Sequence, residues 1–190
     1  MRGKDKSVPS IGVLMICPRR QIEKEIKLPA GYSYVSWDED MSSEWIDLQI
    51  MAENFESEQE AHEFIKTMDT EKFVFVQDQN GKLVASAGLY EGDHFGMKRL
   101  RLGKLAVLLE NQREGLATAM ITKLCLAYDS VPGKYPLYVS LNAQQHEAIK
   151  VFAKLQFTPY FGFYNGHTDK QSEENWTIVT KVLKEKTFYA

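Results

Sequence analysis

Gln112-Arg113-Glu114-Gly115-Leu116-Ala117-Thr118 follows the apolar run Leu105-Ala106-Val107-Leu108-Leu109 and leads straight into a helically periodic stretch. These residue types and spacings suit an anion cradle. A helix that opens here leaves its first N–H groups unpaired, all facing one concavity where the helix dipole adds positive potential. Gly115 and Ala117 are small, so a phosphate can reach the main chain without meeting a bulky side chain. A pyrophosphate is the guest this pattern predicts.

The elements that must hold the cradle follow from periodicity and turn chemistry. Ile11 to Cys17 reads as a short strand, and Tyr32 to Trp37 as a second. Asp38 to Ser43 supplies caps for a helix running to about Asn54. A second helix starts at about Ser57, with Glu60 as its capping-box acid, and ends near Thr67. Phe73–Val76 and Leu83–Tyr90 flank an Asn80-Gly81 hairpin turn, and Arg99–Leu109 is the strand entering the cradle. The cradle helix carries Leu116, Met120, Leu124 and Tyr128 on one face and stops before Pro132-Gly133. Leu137–Leu141 reads as a strand, and Ala148, Phe152 and Leu155 mark another helix. Phe157–Tyr164 reads as a strand, and after a polar loop Trp176–Leu183 reads as the last one.

At 190 residues the chain fits one domain with a substantial core, and 44% hydrophobic with 26% charged residues is an ordinary globular balance. A net charge of -3 with no long basic run argues against a nucleic-acid partner. The Ile11–Cys17 run is too short to span a membrane and lacks a small-residue cleavage site, so a cytoplasmic protein is expected. Cys17 and Cys125 read as structural thiols of a reducing compartment. His62, His94, His146 and His167 are scattered without ligand spacing, so no metal is expected. Residues 1–7 read as disordered, and 1–31 as a leader whose short strand adds to an edge of the domain at 32–190.

The cradle resembles motif A of the GNAT superfamily of acetyl-coenzyme A-dependent N-acetyltransferases. That family's Gln/Arg-x-x-Gly-x-Gly/Ala pattern is met by Gln112, Gly115 and Ala117, and the resemblance covers roughly residues 32 to 183. It implies an α/β (α+β) fold with a mixed, mostly antiparallel sheet of six to seven strands and about four helices, plus the extra N-terminal strand. It also implies acetyl-coenzyme A as cosubstrate, a primary amine as acceptor, direct attack in a ternary complex, and a possible homodimer. By the same resemblance the main chain of Leu105, Ala106 and Val107 borders the pantetheine arm, with the Val107 N–H on the thioester oxygen. One such oxyanion donor contributes about 3 kcal/mol. Arg113, Glu114, Gly115, Leu116, Ala117 and Thr118 would hold the pyrophosphate, with Arg113, Lys123, Lys150 and Lys154 nearby to favour anions.

The later helix departs from the family pattern. Gln145 stands where an Asn is usual, Phe152 where a Tyr often protonates the leaving thiolate, and Gln156 where a Gly is usual. Ser140 and Arg101 stand where relatives carry a Glu, so the residues name no general base. A missing general acid costs typically about 10²–10⁴-fold. A thiol of pKa near 8.5 leaves without prior protonation, which favours the lower figure. Tyr160 or Tyr164 is the first choice as a substitute acid, Glu110 serves the turn, and His94 reads as a solvated loop residue. The acidic run Asp38, Glu39, Asp40 reads as a capped, solvated helix face more readily than as an amine attractor. The departures leave a second function class open, a non-catalytic acyl-coenzyme A-binding regulatory module.

Overall fold

Seven strands pair into one open mixed sheet, which the computed structural model describes together with its helices over residues 4–188. Strands β1 (Gly12–Cys17) and β2 (Tyr32–Val35) precede helices α1 (Ser42–Met51) and α2 (Glu58–Thr67). Strands β3 (Phe73–Asp78), β4 (Leu83–Gly92) and β5 (Arg99–Val107) then lead to α3 (Leu116–Ser130). Strand β6 (Leu137–Asn142), α4 (His146–Lys154), the two-residue β7 (Thr158–Pro159) and α5 (Asp169–Phe188) follow. In space the order is β2-β3-β4-β5-β6-β1-β7, and every pairing is antiparallel except β5 with β6.

Local chemistry sets several of these boundaries. The Ser57 hydroxyl accepts the Glu60 N–H at 3.2 Å, and the Glu60 carboxylate accepts the Glu56 N–H at 3.0 Å, which fixes the start of α2. Asp78 closes the β3–β4 hairpin by accepting the N–H groups of Asn80 (2.9 Å) and Lys82 (3.0 Å). Gly81 there takes φ 81°, a conformation that suits a residue without Cβ.

Alternation along the strands divides the core. One face packs Val13, Met15, Leu102 and Val139 against α3, α4 and α5. The other packs Phe73, Phe75 and Leu83 against α1 and α2 around the fully buried Trp45, whose indole N–H donates to Ser86 Oγ at 2.9 Å. Farther along that second face, Leu14 and Tyr138 lie under the loop aromatics Phe95, Tyr160 and Tyr164.

Four expectations are corrected. Trp176–Leu183 is part of α5, not a strand. Its buried residues Ser172, Trp176, Val179 and Val182 recur at helical spacing, and that tertiary stripe overrides the β-branched run Thr177-Ile178-Val179. A reciprocal cap precedes it, with Gln171 Oε1 accepting the Thr168 N–H at 2.8 Å and Thr168 Oγ1 accepting the Gln171 N–H at 3.3 Å. Phe157–Tyr164 shortens to Thr158–Pro159, because Pro159 lacks an N–H to continue a ladder. The leader strand is not at an edge. It lies between β6 and β7, with Leu14 opposite Ser140 and Met15 opposite Pro159. Of residues 1–7, the first three lie outside the described residues, whereas Asp5 donates its N–H to Gln144 O at 2.9 Å and accepts from Lys186 Nζ at 2.7 Å.

Two substitutions test this packing. Leu14→Ala empties a site with no solvent exposure and should lower unfolding stability by about 2–5 kcal/mol in urea titration. A loss near zero would mean that the leader strand is not part of the core. Ser86→Ala should cost about 1–3 kcal/mol by the same measurement, because it strands the buried Trp45 N–H.

Candidate functional site

Parallel pairing between β5 and β6 holds only at Arg101 with Tyr138 and at Leu102 with Val139. Beyond that point β5 continues along β4, with Ser86 opposite Ala106 and Ala85 opposite Val107, while β6 continues along β1. The strands diverge, and a cleft of about 1280 Å³ opens between them and the starts of α3 and α4. This exceeds the roughly 300–1,000 Å³ of a single small-molecule pocket.

A β-bulge accompanies the split. Between the pairs Gly88–Gly103 and Ser86–Ala106, β4 has one residue and β5 has two, Lys104 and Leu105. Lys104 is left-handed at φ 51°. The displaced carbonyls have side-chain partners. The fully buried Gln49 donates to Lys104 O at 2.9 Å, and Asn54 donates to Leu105 O at 3.3 Å and to Gln49 Oε1 at 2.8 Å. At the end of β5, Gln112 Nε2 donates to Val107 O at 3.1 Å.

The cradle takes the shape its residue types imply. Gly115 is left-handed at φ 89°, and nothing lies within 4 Å of where its Cβ would stand. Helix α3 begins at the next residue, and Ala119 is the first to bond back, to Gly115 O at 3.0 Å. Among the described residues no acceptor serves the N–H groups of Gly115, Leu116, Ala117 and Thr118. A polyphosphate fits this arrangement, having open space at the glycine and unsatisfied donors around it.

Most of the expected cofactor residues line the cleft: Leu105, Val107, Gln112, Arg113, Gly115, Leu116, Ala117, Thr118, Gln145 and Phe152. Ala106 does not, because its side chain belongs to the core under α1 and α2. Glu114 turns away and accepts from the Tyr32 hydroxyl at 2.5 Å. Gln145 is partly committed, since its Oε1 accepts the Asn142 N–H at 2.9 Å as a cap for the turn into α4. Phe152 is buried and packs edge-on to Phe157 at 5.0 Å. Among the four expected cations, Arg113 and Lys150 line the cleft, whereas Lys123 pairs with Glu25 and Lys154 lies elsewhere.

Neither tyrosine expected as a substitute acid reaches the cleft. Tyr164 donates to Gly12 O at 3.1 Å, and Tyr160 packs on Phe95 at 5.4 Å. Glu110 lies outside the cleft and binds Lys82 at 3.0 Å. His94 is half-buried, not solvated, and lies 3.3 Å from the Tyr138 hydroxyl and 3.5 Å from Arg101. Burial and the Arg101 charge push its pKa down, with Asp93 opposing.

The wall of the cleft under α1 and α2 holds residues that periodicity did not flag: Tyr90, Arg101, Lys104 and Asn54. Tyr90 lies over Gly103, where an added Cβ would stand 2.7 Å from the phenol oxygen. Lys104 Nζ donates to Asn54 O at 2.8 Å and sits 3.3 Å from the Phe55 ring centroid. Burial foremost, then the Arg101 charge, brings its pKa down to about 8, with Glu60 acting the other way. The available signal was a Gly-Lys pair interrupting an apolar strand, which marks a bulge.

Comparison with known proteins agrees with this geometry. A family model described as an acetyltransferase (GNAT) domain matches residues 37–165. No curated relative matches the sequence. A GCN5-related N-acetyltransferase from Sphaerobacter thermophilus aligns with TM-score 0.59 at 13% identity, covering 80% of this chain and 49% of that one. A GNAT-family acetyltransferase from Colwellia psychrerythraea gives 0.59 at 14% identity, covering 82% and 55%. A tandem GNAT protein from the clavulanic acid biosynthesis pathway gives 0.58 at 16%, covering 83% and 52%. The chain thus spans about half the length of these structures, and at such identities they establish a shared fold. The family match takes in the diverging strands, the cradle and both cleft helices, well over half of the sequence. The chain belongs to the GNAT acetyltransferase family.

Proposed function

We propose that the cleft binds acetyl-coenzyme A and that the protein transfers its acetyl group to a primary amine by direct attack within a ternary complex. The observation that carries this is the row of N–H groups from Gly115 to Thr118, without acceptors among the described residues, at the end of a split sheet. Those donors and the α3 dipole would hold the pyrophosphate, with Arg113 adding charge. The main chain of Leu105 and Val107 would border the pantetheine arm. In the reaction the amine nitrogen forms a bond to the thioester carbonyl carbon, the carbon–sulfur bond breaks, and the amine proton offsets the thiolate charge. Alignment of amine and thioester supplies the larger share, on the order of 7–11 kcal/mol.

Phe152 has no proton to give. Lys104, on the bulge of β5, lines the cleft, and the burial that brings its pKa down to about 8 supports it as the proton donor to the thiolate. The regulatory alternative, binding without turnover, lacks an observation that favours it over catalysis.

Thermal unfolding with and without acetyl-coenzyme A tests the first step. At about 100 times the dissociation constant, binding should add roughly 2.7 kcal/mol, which raises Tm by about 5–10 °C for a chain of this size. Gly115→Asp, which sets a carboxylate at the cradle, should abolish that shift. An unchanged Tm of the natural protein at millimolar acetyl-coenzyme A would overturn the cofactor reading.

Lys104→Met separates role from stability. Turnover should fall by about 10²-fold or more while the cofactor-induced Tm shift persists. Folding lowers the Lys104 pKa, so the folded state binds fewer protons than the unfolded chain between about pH 8 and the ordinary lysine range. Stability contributed at this site therefore rises with pH across that window. Any advantage of Lys104→Met in urea unfolding at pH 7 should shrink as pH climbs through 8 toward 10. An advantage that is flat across that range would place the ammonium in solvent.

A further inference from the structure

Arg101 is a cation set into the cleft wall without an anion to face it among the described residues. Its Nε is buried with no hydrogen-bond partner, and its two terminal contacts, to Ser140 O and His94 Nε2, are both at the long limit of 3.5 Å. A guanidinium has five N–H donors in a planar fork, so most of its capacity is unspent. Among the described residues no carboxylate lies within ion-pair distance of it. The carboxylates that line the cleft do not serve it: Asp5 pairs with Lys186 at 2.7 Å, Glu147 pairs with Lys150 at 3.0 Å, and Glu53 contacts no cation within 4.0 Å among the described residues.

The neighbouring Arg99 provides an internal comparison. It also lacks a carboxylate among the described residues, but it is sandwiched between Phe95 at 4.0 Å and Tyr135 at 4.2 Å and does not line the cleft. Aromatic faces take the place of a counter-ion there. Arg101 has only the more distant rings of Tyr90 at 5.1 Å and Tyr138 at 5.8 Å, and it is open to the cleft. Its position is built for: a Cβ on Gly92 would stand 2.6 Å from the Arg101 side chain, so the glycine makes room for it. The flanking groups do not compete for an anion. His94 is biased toward its neutral form, and Lys104 adds a second positive charge on the same wall.

The cradle lies elsewhere. From Arg101 to Val107 is six residues of strand, on the order of 15–20 Å, and the glycine loop follows Val107 in the chain. Pyrophosphate at Gly115 and an anion at Arg101 would therefore occupy separate parts of one cleft.

We propose that Arg101 is a carboxylate-binding subsite for the acceptor, which is accordingly an amine bearing a carboxylate, of the amino-acid type. The fork geometry suits two parallel hydrogen bonds to one carboxylate. This deepens the acetyl-transfer reading and rests on it for the identity of the ligand as acceptor. A polyamine or aminoglycoside, which brings only positive charge, would meet Arg101 and Lys104 in repulsion.

Matched pairs that differ by one carboxylate test it: glycine with methylamine, L-phenylalanine with 2-phenylethylamine, and L-lysine with cadaverine. Each is titrated calorimetrically into the protein with and without coenzyme A, and each is assayed for thiol release from acetyl-coenzyme A. The carboxylate-bearing member of at least one pair should bind roughly tenfold to hundredfold more tightly than its partner. Arg101→Gln should erase that ratio, raising KM for the acid while leaving its partner and the acetyl-coenzyme A Tm shift unchanged. Arg101→Lys, which keeps charge but not the fork, should fall between and guards against a folding artefact. Preference for the carboxylate-free member in every pair, or no discrimination in any, overturns the subsite even if cofactor binding is intact. Equal losses for both members in Arg101→Gln overturn it as well. Loss of the cofactor shift in the natural protein would instead strike the acetyl-transfer reading, and the titrations without coenzyme A would still read the subsite by the same ratio.

Discussion

Splitting a sheet leaves main-chain polar groups facing a gap, and in a protein interior such groups must find partners or bind a ligand. Much of this molecule answers that constraint at β5. Three side-chain amides serve the carbonyls around the divergence: Gln49 at Lys104, Asn54 at Leu105 and Gln112 at Val107. Gln49 comes from α1 and Asn54 from the loop that follows it, so the helices on one face of the sheet are tied to the strand that forms the cleft wall on the other side of the bulge. Gln112 belongs to the loop that turns into α3. The cradle and the bulge are thus fixed to a single strand, and the distance between them is set by strand geometry.

That arrangement gives one cleft two electrostatic ends. At the α3 end the positive potential comes from backbone dipoles and oriented N–H groups, which need no counter-ion when the site is empty because each carries only a partial charge. At the other end full charges are used, and they are kept in a semi-buried wall by aromatic rings and a main-chain acceptor in place of carboxylates. Lys104 shows the cost of this, since burial pulls its pKa down toward neutrality. A wall with few carboxylates beside two cations makes sense where an incoming molecule supplies the negative charge.

The parts of the fold that were legible in the sequence are those decided locally. The cradle is a contiguous run in which a glycine, a small residue and a helical pattern each carry their own physical meaning, and the hairpin at Asn80-Gly81 and the caps at Asp38 and Ser57 are equally short-range. Trp176–Leu183 was misread because its β-branched residues favour a strand, whereas the helix depends on a stripe buried against α4 and β1. The Thr168-Gln171 cap was the overlooked local signal. Arg101 and Lys104 were illegible for another reason. An arginine in a strand is unremarkable until one knows that no carboxylate among the described residues faces it, and a lysine is ordinary until rings close around it. Both facts concern partners tens of residues away.

The interior position of β1 also bears on how the chain is made. Gly12 pairs with Asn142 and Ile16 with Thr158, so the strand's partners are synthesised more than a hundred residues after it. At roughly 5–20 residues per second on the ribosome, that is a delay of about 6–25 s. Throughout it, Val13, Leu14 and Met15, which become almost wholly buried, have neither neighbouring strand to shield them. Strands β2 to β5 and helices α1 and α2 can assemble first, being close in sequence, while the leader waits. The nascent chain therefore carries an apolar segment whose strand partners arrive late, and β1 can take its interior place in the sheet only once β6 and β7 have been made.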